Sequence, residues 1–252
     1  CWVGNRFQPI PITKDADPNI ALQIVERSSE FPGIDAQPTP VRYYPGTLGA
    51  TGAHVLGYVG ALTDKDLAKD NGTRYYRSET IGKDGLEYVY DSYLRGRPGI
   101  KTVIVDRKEA VTEKSRDTSP TPGMHLVTSL DVRIQGAAEQ GLATAVKASR
   151  AQGYRADGGA AIVMDLEGRV LAMASYPDYD LNIWENGITV KQAKELYSQQ
   201  SAVPALSRAI QGSFAPASTF KVVSLSAAAA ANYNLRSTYD CPAQVEIGNR
   251  IF

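Results

Sequence analysis

The chain has 252 residues, with 27 basic and 27 acidic side chains and 43% hydrophobic residues. This balance of charge excludes the strong field that draws in nucleic acid or anionic lipid, and the apolar content suits one or two folded domains. No stretch approaches the roughly 18 to 20 apolar residues that cross a bilayer. The two cysteines, Cys1 and Cys241, are too few for a disulfide framework or a metal site, and unpaired thiols are favoured over a bond between them.

The first half of the chain predicts short elements separated by proline and glycine. Asp17 followed by Pro18 indicates a capped amphipathic helix that ends by residues 31–33. Residues 37–44 are expected to be extended because prolines restrict their backbone. The other predicted elements are a short helix from Thr63-Asp64 to residues 71–72, a helix over 85–94 with Leu86, Val89, Tyr90 and Tyr93 on its core face, and a strand over 102–106.

A domain boundary is predicted near residue 120. Residues 115–123 are polar and include Pro120 and Pro122, a composition typical of a linker. We therefore divide the chain into residues 1–120 and residues 121–252.

The second half predicts helices packed on an antiparallel hairpin, so the fold class is α+β. Residues 125–130 are expected to form a strand, and Asp131 caps a helix that runs to about residue 149. Two apolar strands, 162–164 and 170–174, flank a turn signal at 167–168. Thr189 caps a further helix over 189–200, and the alanine run at 227–231 is interpreted as part of a core helix.

The tetrad Ser218-Thr219-Phe220-Lys221 is the strongest candidate for chemistry. Pro216 suits the first turn of a helix, which puts Ser218 at its start and Lys221 one turn further along the same face. A serine hydroxyl needs an adjacent base to become a good nucleophile, and a lysine can be that base only as a neutral amine. Burial in an apolar helix near its positive N-terminus favours that form. The alternative is a capping serine beside a solvated lysine.

Segments around the tetrad resemble the transpeptidase domain of class B penicillin-binding proteins. They are Pro204 to Gly212, leading into the tetrad, and the stretches 159–165 and 168–177. The first half resembles the non-catalytic pedestal of the same family at Arg42-Tyr43-Tyr44-Pro45, at 53–60, at Gly85-Leu86-Glu87 and at Leu94-Arg95-Gly96.

The resemblance implies a β-rich pedestal over 1–120, a dimerisation-like domain, followed by the first part of a transpeptidase domain over 121–252. It implies peptidoglycan cross-linking by acyl transfer on stem peptides ending in D-Ala-D-Ala, with Ser218 as the acyl-ester nucleophile and Lys221 as general base. Penicillins and other β-lactams would acylate Ser218. It also implies no cofactor or metal, a membrane glycosyltransferase of the shape, elongation and division family as partner, and an extracytoplasmic place at the bacterial membrane, anchored by a segment before Cys1. Of the family's types, the elongation type is favoured over the division type.

The sequence departs from the family pattern in one respect. It contains neither Ser-x-Asn nor Lys-[Ser/Thr]-Gly, the two further motifs of that active site. We therefore expect the chain to be a fragment of a longer protein and to be catalytically inert by itself.

Two other functions remain open at this stage. One is a β-lactam sensor that is acylated once and signals, although sensor domains lack such a pedestal. The other is an interaction protein whose residues 1–120 regulate a membrane glycosyltransferase.

Other chemically suggestive residues are interpreted as structural. The two histidines, His54 and His125, are too few to favour a Ser-His-Asp triad. Asp165, Asp178 and Asp180 lie in turns, where aspartate commonly accepts backbone hydrogen bonds. Arg42 and Glu87 either form internal ion pairs or contact a partner, and the internal pairing is favoured. The tyrosine groups, which are Tyr43-Tyr44, Tyr75-Tyr76 and Tyr88, Tyr90 and Tyr93, are expected to lie in the core.

Overall fold

In a computed structural model the chain divides into two units, Cys1–Gly212 and Ser213–Phe252. The structure describes residues 10–38, 41–46, 51–68, 75, 79–107, 111–185, 187–238, 240 and 242–252. Cys1, Cys241, Tyr76, Pro40 and the predicted helix end at 71–72 lie outside these residues.

The predicted first helix is confirmed as α1, Pro18–Glu26. The Asp17 carboxylate accepts a hydrogen bond from the backbone N–H of Asn19 at 2.8 Å, as a cap should. The apolar face of α1 is not covered, since Ile20 is 56% exposed and no residue of the helix is buried.

Two short strands form an antiparallel pair in the N-terminal region. Strand β1, Val59–Ala61, pairs with β2, Thr80–Gly82. The short helix α2, Ala53–Leu56, precedes β1, and α3, Asp64–Ala68, follows it. The Thr63 backbone and hydroxyl both donate to the Asp66 carboxylate, which confirms the predicted helix start.

The single helix predicted over 85–94 is wrong, because Tyr90 interrupts it. Two short helices form instead, α4, Gly85–Val89, and α5, Asp91–Leu94, and Tyr90 between them has φ −105° and ψ 18°. The backbone of α4 packs directly on β2, so closely that a Cβ on Gly82 would lie 1.9 Å from the carbonyl oxygen of Glu87.

Because α4 contacts β2 through its backbone, most of the side chains that were predicted to face the core over residues 85–94 are exposed to solvent instead. Val89, Tyr90 and Tyr93 are 67%, 41% and 43% exposed. The expectation that the tyrosine groups lie in the core is therefore wrong for four of them, which are exposed: Tyr43, Tyr88, Tyr90 and Tyr93.

The predicted linker begins later than expected. Strand β3, Ile100–Val105, pairs with β4, Val111–Thr118, from Ile100 opposite Thr118 to Val105 opposite Val111. Residues 115–118 are thus strand, because ladder pairing outweighs their polar composition. Arg97 and Thr121 then exchange two backbone hydrogen bonds of 2.8 and 2.9 Å.

The strand predicted over residues 125–130 is also wrong. This stretch is irregular, and it is attached to the sheet by isolated contacts rather than by a ladder. The Ser129 hydroxyl donates to the carbonyl of Val170 at 2.7 Å, and the Asp131 N–H donates to the carbonyl of Leu171 at 2.9 Å.

The predicted helix and hairpin after residue 130 are confirmed. Helix α6, Val132–Ala151, is capped by Asp131, which accepts from the N–H groups of Arg133 and Ile134. It packs on the antiparallel hairpin of β5, Gly159–Met164, and β6, Val170–Tyr176. Val146, Ala172 and Ala174 are buried between them.

The remaining elements complete the two units. Helix α7, Val190–Tyr197, has a full capping box between Thr189 and Gln192, as its start predicted, but it ends before residue 200. In the second unit, helix α8, Lys221–Ala230, is followed by strands β7, Glu246–Ile247, and β8, Arg250–Ile251, which pair with each other. Among the described residues, the helices are too short or too polar to span a membrane.

Candidate active site

The tetrad begins in a 3-10 turn that continues into α8. Pro216 caps this turn, which covers Ala217–Phe220, and Lys221 begins the α-helix. The backbone N–H of Lys221 donates to the carbonyl of Ser218, the bond of a 3-10 turn. Because a 3-10 turn has three residues, side chains three positions apart lie one above the other. The local backbone therefore stacks positions 218 and 221.

The hydroxyl of Ser218 differs from those of its neighbours, which donate to backbone carbonyls. Thr219 donates to the carbonyl of Pro216, Ser224 to that of Phe220 at 3.2 Å, and Ser226 to that of Val222 at 2.8 Å. Within the described part of the chain, the Ser218 hydroxyl has no such partner. A hydroxyl that is not bound to the backbone is available to a base and to an electrophile.

Lys221 lines a shallow, open depression of about 400 Å³ on the surface of the second unit. The depression is lined by α8 and by the chain that follows it, namely Lys221, Ser224, Leu225, Ala228, Tyr233, Asn234, Leu235 and Ser237. No carboxylate of the described residues forms an ion pair with Lys221. In that part of the chain its amine is therefore held by no acidic neighbour, and no hydrogen bond joins it to the Ser218 hydroxyl.

The residue before Ser218 has a strained backbone. Ala217 has φ 44°, in the left-handed region that an alanine rarely adopts. Such outliers persist where the surrounding structure over-determines them, and they cluster at functional sites.

The expectation that the tetrad helix is buried is wrong for this chain. No residue of α8 is buried, Phe220, Val222 and Leu225 are 52%, 72% and 58% exposed, and Ser218 and Lys221 are exposed as well. The alanine run at 227–231 is accordingly not part of a core here. The strands β7 and β8 have two residues each and cannot cover an apolar helix of this length. The packing of this helix on the β5–β6 hairpin stays a prediction.

The sequence interpretation missed a buried polar cluster in the first unit. The Glu139 carboxylate, on α6, accepts from the backbone N–H groups of Thr51 at 2.8 Å and Gly52 at 2.9 Å, and from the Gln135 amide at 2.7 Å. Gln135 is also bonded to both backbone groups of Met173 on β6, at 2.8 and 3.0 Å. Gln135 and Glu139 are four positions apart on α6 and so lie on one face of the helix, which was the sequence signal that could have predicted their contact.

A second carboxylate meets the same segment. Asp178 accepts from the Thr51 hydroxyl at 2.7 Å and from the N–H of Tyr179 at 2.7 Å. Burial, and secondarily the charge of Glu139, raise the pKa of Asp178 above its usual range, against the opposing effect of the Thr51 hydrogen bond. The cluster therefore joins residues 51–52 to α6 and to the chain after β6.

The other aspartates and the first histidine have the structural contacts that were predicted. Asp165 accepts from the N–H groups of Glu167 and Arg169, and Asp180 from that of Asn182. His54 is buried and lies 2.7 Å from the carbonyl oxygen of Pro204. Within the described residues, no group of three potential ligands for a metal ion is found.

The ion pair predicted for the N-terminal region is confirmed. Arg42 and Glu87 form it with two contacts, Nε to Oε1 at 2.7 Å and a second guanidinium nitrogen to Oε2 at 3.1 Å. Glu87 is buried, and its ion pair with Arg42 links α4 to the segment that precedes α2.

Two family models cover most of the chain. The penicillin-binding protein dimerisation domain matches residues 3–128, and the penicillin-binding protein transpeptidase domain matches residues 159–250, which include the tetrad. The chain belongs to the penicillin-binding protein family. It combines a dimerisation domain with the start of a transpeptidase domain, as the resemblance of its sequence segments implied.

A named relative agrees with this membership. The chain is 31% identical over 223 residues to the peptidoglycan D,D-transpeptidase MrdA of Escherichia coli strain K12, a match that covers 86% of this chain and 33% of the relative. The chain thus spans about a third of the length of this relative.

Two solved structures have the same fold. One is the complex of a penicillin-binding protein, PBP2, with MreC from Helicobacter pylori, with a TM-score of 0.63, 30% identity, and coverage of 92% of this chain and 41% of that one. The other is a peptidoglycan synthase complex that coordinates polymerization and crosslinking, with a TM-score of 0.68, 29% identity, and coverage of 94% and 41%.

Proposed function

We propose that the complete protein is a serine-type peptidoglycan D,D-transpeptidase in which Ser218 is the nucleophile and Lys221 the general base. The observation that carries the proposal is that Ser218 lies one 3-10 turn before Lys221, and that within the described residues its hydroxyl is bound to no backbone carbonyl and the lysine to no carboxylate. The neighbouring hydroxyls of Thr219 and Ser224 are bound to backbone carbonyls instead. The match to the transpeptidase domain and the name of the relative MrdA support the same reaction.

The acylation step follows from these groups. Ser218 Oγ attacks the penultimate D-Ala carbonyl of a stem peptide ending in D-Ala-D-Ala, while its proton passes to the neutral amine of Lys221. The carbon–nitrogen bond then breaks, and the terminal D-Ala leaves with a proton. The amine of a neighbouring stem attacks the resulting ester, which forms the cross-link and restores the hydroxyl.

The backbone supplies part of the stabilisation of the oxyanion. The Ser218 N–H lies in the first turn of the helical segment and, within the described residues, donates to no backbone carbonyl. The N-terminal N–H groups of a helix favour negative charge, so this N–H can bind the developing oxyanion. The second donor is expected from a strand that follows a Lys-Thr-Gly motif, as in the family.

β-Lactams follow the same path as inhibitors. Their strained amide is attacked by Ser218, and the acyl-enzyme is hydrolysed slowly. Labelling by a fluorescent penicillin is therefore a direct test on the full-length gene product.

The test compares three single variants. Ser218→Ala is expected to abolish labelling, and Lys221→Ala to slow it by about 10²- to 10⁴-fold. Ser226→Ala is the control, because its hydroxyl is bound to the Val222 carbonyl at 2.8 Å, and it should be labelled like the unmodified protein. Labelling of Ser218→Ala at the normal rate would refute the assignment.

We also propose that the domain boundary lies near residue 120 and that residues 1–120 contact a partner in the elongation machinery. Relatives in two solved structures are held in such assemblies, one with MreC and one in a synthase complex. The exposed tyrosines Tyr88, Tyr90 and Tyr93 offer the aromatic surface that interfaces favour. The proposed partner is a membrane glycosyltransferase of the shape, elongation and division family, at the outer face of the bacterial membrane.

This second role is separated from catalysis by a genetic test. If Ser218→Ala restores growth in a strain that lacks the gene, interaction with the partner is the essential role. If it does not, while Ser226→Ala does, cross-linking is required.

A further inference from the structure

The hydroxyl of Thr51 lies between two carboxylates of the first unit. Its Oγ1 is 2.7 Å from Oδ2 of Asp178, which follows β6, and 3.5 Å from Oε1 of Glu139 on α6. The backbone N–H of Ala53 also donates to this oxygen, at 3.3 Å. A threonine hydroxyl has one proton and two lone pairs, so it can donate to only one of the two carboxylates. A further proton is needed if both carboxylates are to be hydrogen-bonded to it.

The hydrogen bonds around Glu139 identify it as an acceptor. Its Oε2 accepts from the backbone N–H of Thr51 at 2.8 Å. Its Oε1 accepts from the N–H of Gly52 at 2.9 Å and from the Gln135 amide at 2.7 Å. A proton on either oxygen would compete with these donors for the same lone pairs, so the further proton is not expected on Glu139.

Asp178 has the geometry to hold that proton. Its Oδ1 accepts from the backbone N–H of Tyr179 at 2.7 Å, whereas its Oδ2 faces the Thr51 hydroxyl. With a proton on Oδ2, the two lone pairs of Thr51 Oγ1 accept from Ala53 and from Asp178, and the Thr51 proton is directed to Glu139. Burial and the charge of Glu139 both raise the pKa of Asp178, which favours the same protonated form.

We propose that Asp178, Thr51 and Glu139 form a proton-dependent hydrogen-bond relay that attaches residues 51–53 to α6 and to the chain after β6. With a proton on Asp178, Asp178 donates to Thr51 and Thr51 donates to Glu139. When Asp178 releases this proton to solvent, Thr51 donates to Asp178 instead, and two negative charges face each other across one hydroxyl. One hydrogen bond of the attachment is then replaced by a charge repulsion.

The other titratable groups around Asp178 bear on the direction of the pH effect. The charge of Glu139 favours the proton on Asp178, whereas a positive charge on His54, from α2, opposes it. Tyr179, whose ring meets that of His54 edge-on with centroids 5.5 Å apart, has a pKa raised by burial and stays neutral. Because the folded-state pKa of Asp178 is raised, the relay is formed at low pH and is lost as pH rises through that pKa.

Contacts that do not depend on a carboxylate hold the neighbouring chain in place. Asn182 exchanges two hydrogen bonds with the backbone of Tyr44, at 2.9 and 3.0 Å. The ring of Tyr58 stacks on that of Trp184 with centroids 3.6 Å apart. Loss of the relay is therefore expected to open residues 51–53 locally, while the segments on either side of them remain attached.

The test follows proton binding and local opening in the 252-residue chain. Carbon-13 resonances of the carboxyl groups report the titration of Asp178 between about pH 4 and pH 8, and it should occur above the ordinary aspartate value of about 3.9. Hydrogen exchange of the Gly52 amide, taken relative to its intrinsic rate at each pH, reports the opening. Its protection should fall about 10-fold across the titration of Asp178, the effect of losing about one hydrogen bond to a charged group.

Two variants and a matched control assign the effect to the relay. Asp178→Asn cannot ionise, so the protection of Gly52 should vary by less than about 2-fold over the same pH range. Thr51→Val keeps the branched shape and the backbone N–H but removes the hydroxyl, so protection should be low at every pH. Asp180→Asn is the control, because Asp180 accepts from the N–H of Asn182 at 2.9 Å, and it should keep the full pH dependence.

Each result decides for or against the relay. A carboxyl of Asp178 that titrates at or below the ordinary aspartate value overturns it. Persistence of the pH dependence in Asp178→Asn would assign the effect to another group such as His54, and its loss in Asp180→Asn would show an unspecific effect of charge, so both also overturn the proposal. Should Asp178→Asn fail to fold, Thr51→Val decides, since protection that still falls with pH without the hydroxyl excludes a relay through it.

Discussion

The carboxylate of Glu139 accepts a hydrogen bond from the backbone N–H of Thr51 at 2.8 Å, although the two residues are 88 positions apart. The same carboxylate accepts from Gly52 at 2.9 Å. Both N–H groups directly precede helix α2, Ala53–Leu56, and a buried N–H needs an acceptor. A side chain of the C-terminal half of the first unit therefore fixes the chain that enters a helix of the N-terminal half.

Glu139→Ala is expected to destabilise the chain by about 3 kcal/mol, because it leaves the buried N–H of Gly52 and the part-buried N–H of Thr51 without an acceptor and removes one of the two acceptors of the Gln135 amide. Urea unfolding followed by circular dichroism measures this loss. Glu195→Ala is the matched control, since Glu195 is also a helical glutamate but only forms an exposed pair with Lys191 at 4.0 Å. That control should change stability by less than about 0.5 kcal/mol. Equal effects of the two variants would contradict the role of Glu139.

Asp178 is expected to make the stability of the chain depend on pH. Burial and the nearby Glu139 charge raise the pKa of Asp178 in the folded state above its unfolded value. The folded state therefore binds the proton more tightly, and this contribution to stability is present below the unfolded pKa and is lost as pH rises through the folded pKa. Asp178→Asn keeps an acceptor for Thr51 but cannot ionise.

The measurement for Asp178 is the difference in unfolding free energy between the variant and the unmodified chain at several pH values. From about pH 4 to pH 7, this difference should move in favour of Asp178→Asn. A difference that stays constant over this range, or that moves in favour of the unmodified chain, would show that Asp178 does not titrate as inferred.

Local signals in the sequence predicted the elements that depend on local chemistry. Asp131 capping α6, the α7 capping box at Thr189 and the turn between β5 and β6 are all set by residues within a few positions of each other. The start of the tetrad helix at Pro216 was likewise predictable from residues close to it in sequence.

The failures depend on contacts that a single sequence does not reveal. Residues 115–118 form a strand because β3 pairs with them, and Tyr90 and Tyr93 are exposed because the backbone of α4, rather than its apolar side chains, packs on β2. The contact of Thr51 with Glu139 joins distant segments in the same way. For the candidate site, the sequence predicted that Ser218 and Lys221 lie one turn apart. It did not predict the exposure of α8, because exposure depends on which distant elements pack on the helix.

Ala217→Gly is expected to stabilise the second unit by about 1 kcal/mol. Ala217 has φ 44°, a conformation that costs an alanine about 1 to 2 kcal/mol and a glycine little. The control is Ala227→Gly in the middle of α8, which should destabilise by about 1 kcal/mol because glycine is a poor helix former. Hydrogen exchange of the amides of α8 reports both changes. Loss of protection in both variants would show that the left-handed conformation at position 217 is not strained.

The isolated 252-residue chain is expected not to react with penicillin at Ser218. Its tetrad helix is exposed, so water competes for the Ser218 hydroxyl and for the Lys221 amine. The sequence also contains neither Ser-x-Asn nor Lys-[Ser/Thr]-Gly, so the second oxyanion donor of the family is not supplied. Because acyl transfer depends on such preorganised donors, loss of one costs about 100- to 1,000-fold in rate.

Incubation with a fluorescent penicillin, followed by mass spectrometry of the peptide that contains Ser218, tests this expectation directly. The full-length gene product, treated in parallel, should carry the label, and a labelled Ser218 peptide from the isolated chain would show that the tetrad is sufficient for acylation.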